Sequence, residues 1–122
     1  MRGLLLCMML SAAMFADSDE PDGSTDLEIW HLLSFVERTR CDLQRNDTWY
    51  TSAKAAEHIV RKYRYALDRG LIETAEDFIR HACTKSSSSG KEYRVRCGDS
   101  AVIPSSAWLL SELGAYRTQS RP

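Results

Sequence analysis

The sequence predicts an α+β domain in which about four helices cover a small three-stranded antiparallel sheet. Three observations carry that expectation. Four stretches repeat apolar residues at helical spacing, and each has a capping or stop residue at an end. The dipeptide Asn46-Asp47 separates two short runs, Leu43 to Arg45 and Thr48 to Tyr50, as a hairpin turn would. Late in the chain, Tyr93, Val95 and Cys97 alternate with Glu92, Arg94 and Arg96, the period of a strand with one buried and one wet face. At 122 residues the chain holds one domain, and no internal repeat is visible.

The N-terminus has the layout of a secretory leader. Arg2 supplies a positive start, Gly3 to Leu10 an apolar run, and Ser11, Ala12 and Ala13 the small residues that precede polar sequence. Cleavage after Ala13 or after Ala16 fits this pattern, and residues 1–16 are taken as the leader. The apolar run is too short and wrongly flanked for a permanent membrane span. Residues 17–26, with Asp17, Asp19, Glu20, Asp22 and Asp26, read as an acidic flexible lead-in. The folded part is then 27–117, with 118–122 as a tail.

Within that part, Asp26 is a plausible N-cap for a helix carrying Ile29, Leu32, Leu33 and Val36, and Trp30 and Phe35 widen its apolar surface. Ser52 can cap a second helix whose inward stripe is Ala56, Ile59, Tyr63 and Ala66 or Leu67. Gly70 stands where it should stop. Thr74 and Asp77 have capping-box spacing ahead of Phe78, Ile79 and Ala82. Pro104-Ser105-Ser106 introduces a last helix with Trp108 or Leu109, Leu113 and Tyr116 inward.

Cys41, Cys83 and Cys97 remain after leader removal. In an oxidising compartment two of the three can pair. Cys41–Cys97 is favoured, because both lie at the edges of expected β segments, over a pairing that uses Cys83 within a helix. Cys83 is then a small buried hydrophobe.

The formal charge of −1 hides an asymmetry: the acids crowd the start, and from Leu27 onward 15 Lys and Arg face 12 Asp and Glu. That mild excess is far from the strongly basic balance of a nucleic-acid binder, and no cofactor is implied. The histidines His31, His58 and His81 are too scattered for a metal site. The stretch "TKSSSSGKEYRVRC" (residues 84–97) invites two catalytic readings. A Walker A loop is excluded, because Lys85 stands at the first glycine position and Glu92 follows Lys91. Ser88-Ser89-Gly90-Lys91 does have Ser-x-x-Lys spacing, but Gly90 and the serine run oppose the helix that would align the two side chains. A small hydrolase or transferase using the Ser86–Lys91 loop with His58 or Lys91 is therefore the alternative, and no catalytic residue is assigned. The leading reading is a binding or accessory domain. Arg61, Lys62, Lys85, Ser88, Lys91 and Arg94 could gather donors for carboxylates or phosphates, or could form a solvated charged face.

"RNDTWY", "AAEHIVRKY", "ETAEDFI", "KSSSSGKEYRVRC" and "PSSAWL" follow one another in an order that resembles the YfeK-like family, small exported proteobacterial proteins built on a domain of unknown function. The resemblance covers most of Leu27 to Arg117. It implies a periplasmic or secreted single domain, and it transfers no catalytic residue. The partner expected on the leading reading, from export, single-domain size and the lack of a catalytic set, is an envelope protein or an anionic envelope polymer. Asp47 stands where that family usually has glycine, which weakens the case for a type I′ turn, and Cys83 stands where a residue such as alanine is expected.

Overall fold

The computed structural model describes residues 23–120. The expected leader, residues 17–22 of the lead-in and residues 121–122 lie outside the described residues. The order of elements is α1 (Gly23–Arg38), β1 (Asp42–Arg45), β2 (Thr48–Tyr50), α2 (Ser52–Asp68), α3 (Ala75–Ala82), β3 (Arg94–Arg96), β4 (Ile103–Pro104) and α4 (Ser105–Ser120).

The sheet has four strands rather than three, ordered β2-β1-β3-β4 and antiparallel throughout. The extra strand is the two-residue β4, in which Ile103 faces Val95 and Pro104 faces Arg94. Pro104 looked like part of a helix start. Proline is also tolerated on a sheet edge, where its missing N–H breaks no ladder, and β4 is an edge strand.

Asn46 and Asp47 form a two-residue connection between the paired Arg45 and Thr48, with φ of 51° and 69°. Positive φ at both central positions is the type I′ signature, whose twist matches the flanking strands. Asp47 thus takes the conformation that the missing glycine had put in doubt.

The register explains the disulfide. Asp42 faces Arg96 and Leu43 faces Val95, so the next pair outward is Cys41 and Cys97. Their sulfurs are bonded with Cα atoms 4.4 Å apart, and Cys83 is free and buried. The pairing favoured from the sequence is the one present.

Helix ends follow local chemistry. Thr51, not Ser52, caps α2 by accepting the Lys54 N–H, whereas the Ser52 hydroxyl donates to the Glu37 carbonyl and ties the start of α2 to the end of α1. Gly70, at φ 71°, and Leu71 return their N–H groups to Leu67 and Ala66, the paired bonds of a Schellman stop. Thr74 and Asp77 complete the expected capping box of α3. Helix α1 begins at Gly23, so Asp26 lies in its first turn instead of capping it, and residues 23–26 are helical instead of lead-in. Helix α4 likewise takes in residues 118–120 of the expected tail.

The core collects Ile29, Leu32 and Val36 of α1, Ala56 and Ile59 of α2, and Phe78 and Ile79 of α3. Leu109 and Leu113 of α4 meet them, over Leu43 and Val95 of the sheet. Trp30, expected to add to the buried face of α1, is 66% exposed. Arg117 of α4 clamps the bundle from outside, holding Glu28 of α1 and Glu76 of α3 with two bonds each at 2.7–3.0 Å.

Candidate functional site

Lys54, His58, Arg61 and Lys62 recur on α2 at spacings of three, four, seven and eight residues, which places them along one side of the helix. The hairpin lies opposite. Because side chains alternate along a strand, Arg45 shares the inner face of β1 with buried Leu43, and Tyr50 pairs with Leu43 from β2. Between helix and hairpin is a pocket of about 250 Å³. Leu43, Ala55 and Ile59 contribute its apolar lining, and Tyr50, Tyr93, Arg45, Lys54, Glu57, His58 and Arg61 its polar groups. That volume matches roughly eight waters, a space for one small acid or one sugar-sized unit.

Its charge is unbalanced. None of Arg45, Lys54 and Arg61 makes an ion pair among the described residues, and Glu57 is the one carboxylate in the lining. The Arg45 guanidinium lies 5.3 Å from the centre of the Tyr50 ring, a cation–π contact that leaves its N–H groups available. At the back, Lys62 Nζ donates to the Tyr93 hydroxyl at 3.1 Å and to the Lys85 carbonyl at 2.6 Å, and Tyr93 Oη is 3.1 Å from His58 Nε2. Burial, reinforced by Arg45, Lys62 and Arg61, lowers the His58 pKa to about 4. The ring is therefore neutral at pH 7, and Nε2 is free to accept the Tyr93 O–H. Burial also lowers the pKa of Lys62 and raises those of Tyr93 and the Cys83 thiol. Tyr93 and Cys83 remain protonated at neutral pH.

The residues expected to gather around the serine loop are divided among several places. Arg61 lines the pocket, and Lys62 forms its back through Tyr93. Lys85 contributes its carbonyl to Lys62. Lys91 pairs with Asp47 of the hairpin turn, and Arg94 pairs with Glu92 at 3.8 Å. Ser88 is turned into its own loop, where its hydroxyl meets that of Ser86 at 3.1 Å.

The loop is a small closed turn between bridged Lys85 and Glu92. The buried Ser86 hydroxyl accepts the N–H groups of Ser88 and Ser89, its carbonyl accepts Gly90 N–H, and Ser89 Oγ accepts Lys91 N–H. Ser89 also donates its hydroxyl to Asn46, docking the loop on the hairpin. These hydroxyls satisfy backbone groups that no ladder reaches.

Sequence reading missed Arg45, Lys54, Tyr50 and Tyr93 as pocket groups. The helical spacing of Lys54 with His58 and Arg61, and of Arg45 two residues from Leu43, was the available signal. Among the described residues, no group of three or more His, Cys, Asp or Glu side chains could hold a metal, and no helix is long and apolar enough to cross a membrane.

The model of DUF5329, a family of unknown function, matches residues 23–117. The chain belongs to DUF5329. The match runs from the first residue of α1 into the last turn of α4, so the DUF5329 domain contains every group that lines the pocket. The resemblance read from the sequence is met at this level, a family of unknown function spanning the folded part. No match was found among the curated proteins or among the solved structures.

Proposed function

We propose that this DUF5329 chain is an exported, YfeK-like binding domain of the cell envelope that holds acidic groups of an anionic polymer in the pocket between α2 and the hairpin. One observation carries the reading: Arg45, Lys54 and Arg61, without carboxylate partners among the described residues, converge on a pocket with an apolar lining and two tyrosines. Arginine forks suit carboxylate and phosphate oxygens, and the tyrosine rings offer an apolar surface with a hydroxyl at one end. Export is supported by the leader-like N-terminus and by a disulfide, the bond that persists in oxidising compartments. The serine-loop hydrolase gains no support from the geometry, since Ser88, Lys91 and His58 are each engaged elsewhere, with Ser86, Asp47 and Tyr93.

Calorimetric titration of the purified chain with polygalacturonate, polyphosphate and neutral dextran tests this. An anionic polymer should bind, weaken with added salt, and lose about tenfold or more in affinity on the double substitution R45A/R61A. Equal binding of dextran, or a double variant that binds as well as the native chain, would sink the proposal. A protein captured from envelope extract equally well by both chains would replace it with a protein-docking role.

A further inference from the structure

We infer that the α2–hairpin pocket takes up an oxyanion and a proton together, with the imidazole of His58 as the proton's seat. The inference rests on the anion-site reading above and goes beyond it by giving His58 a role in the bound state.

His58 is surrounded by cations in the free protein. Arg45 approaches from β1, and Arg61 and Lys62 from its own helix. Lys54 and the exposed Glu57 line the same space on α2, Tyr50 lines it from β2, and Tyr93, just ahead of β3, bonds the ring nitrogen. Only Glu57 among these is acidic, and burial, reinforced by the repulsion of the three neighbouring cations, keeps the ring uncharged.

An oxyanion seated among Arg45, Lys54 and Arg61 reverses that balance. Its charge offsets the cations that repel an imidazolium, and it supplies an acceptor for a second ring N–H. The Tyr93 oxygen stays in place while its hydroxyl hydrogen rotates off the ring nitrogen. In the neutral state its O–H donates to His58 Nε2 while its oxygen accepts from Lys62; with the ring protonated, Nε2–H donates to that same oxygen, which has two lone pairs. The sign follows from linkage. A ring with a higher pKa in the complex than in the free protein makes binding tighter as pH falls, by up to about tenfold per pH unit between the two values. The effect ends near pH 4, where the free ring also charges.

Sulfate is the probe, because it does not titrate in the range used. Its affinity for the intact chain is measured between pH 7.5 and 5.0 at constant ionic strength, for the native protein and for His58→Gln. The native dissociation constant should fall about tenfold over that range, as expected when the ring's pKa in the complex rises to about 6. The His58→Gln profile should be flat. In the native chain, the NMR titration midpoint of the His58 ring proton should also move upward when sulfate is added. Sulfate binding with a flat native profile and an unmoved midpoint would overturn the inference and leave the anion site standing. Absence of sulfate binding at every pH would remove both. If His58→Gln does not fold, the ring-proton midpoint in the native chain decides alone.

Discussion

Asp47 shows how a single residue can hold a conformation that its type resists. Its φ of 69° lies in the left-handed region, where a side chain other than glycine costs about 1–2 kcal/mol, less for Asp than for most. Two contacts offset this. Lys91 reaches across from the serine loop to the Asp47 carboxylate, and Ser89 secures the neighbouring Asn46. The ion pair is exposed on both sides, and such pairs contribute about 0–1 kcal/mol. Asp47→Gly should therefore stabilise the domain by a few tenths up to about 1 kcal/mol. Urea unfolding at low and high salt checks this, because the gain should be smaller at low salt, where the Lys91–Asp47 attraction that the substitution removes is least screened. A destabilised glycine variant would mean that the Lys91 contact outweighs backbone strain. Trp30 teaches the opposite lesson. Its apolar ring suggested burial, yet Ile29, Leu32 and Val36 already fill the core face of α1, and the ring lies off that stripe.

At the scale of elements, α3 is the clearest case of sequence acting directly. Its eight residues are too few to be stable alone, so its ends matter. The Asp77 carboxyl is held below its ordinary value by the N–H of Glu73, with Thr74 and Arg80 adding to the effect. Bonding to Arg117 holds Glu76 down as well. A carboxyl depressed on folding stabilises above its unfolded value, about 4, and loses that contribution as pH falls through the lower folded value. His58 acts in a higher window, since a ring lowered from 6.5 to about 4 leaves the unfolded chain binding the extra proton. Stability should thus decline from about pH 6.5 toward 4 through His58, and further below about 4 through Asp77 and Glu76. Thermal unfolding across pH should show both phases. Asp77→Asn should flatten the lower one and leave the upper one in place, and an unchanged acid limb in that variant would refute the assignment.

For the whole molecule, the staple between Cys41 and Cys97 closes 56 residues of sequence, including α2, α3 and the serine loop. On the chain-entropy account such a loop is worth about 4 kcal/mol, a large share of what a domain of this size possesses. The double substitution C41A/C97A should lower the unfolding free energy by about that amount. In the native chain, the one remaining thiol of residues 23–120, the fully buried Cys83, should react with a thiol reagent only after unfolding. Rapid labelling of a thiol in that region of the folded protein would contradict the pairing. The Arg117 clamp belongs to the same scale. It joins α1, α3 and α4 through residues 89 and 41 positions apart, a contact that no local pattern announces.

Much of the fold was legible because its causes are local. The capping box at Thr74, the stop at Gly70, the Asn46-Asp47 turn and the alternation around Val95 each depend on neighbours within a few residues, and each is present where it was read. The fourth strand was not legible, because two residues carry no period and their pairing with β3 depends on where α4 is anchored. The candidate site lay in between. Arg61 and Lys62 were chosen as charged residues on a helix, but Lys91 and Arg94 have the same composition and are paired elsewhere. The sequence by itself determined the four helices, the hairpin, the strand around Val95, the α3 capping box, the Gly70 stop and the preferred cysteine pairing, since short-range hydrogen bonding and hydrophobic period set them. Only the tertiary structure decided which cations share a pocket and that His58 stands neutral among them, because Coulomb forces and desolvation depend on distances between segments far apart in the chain.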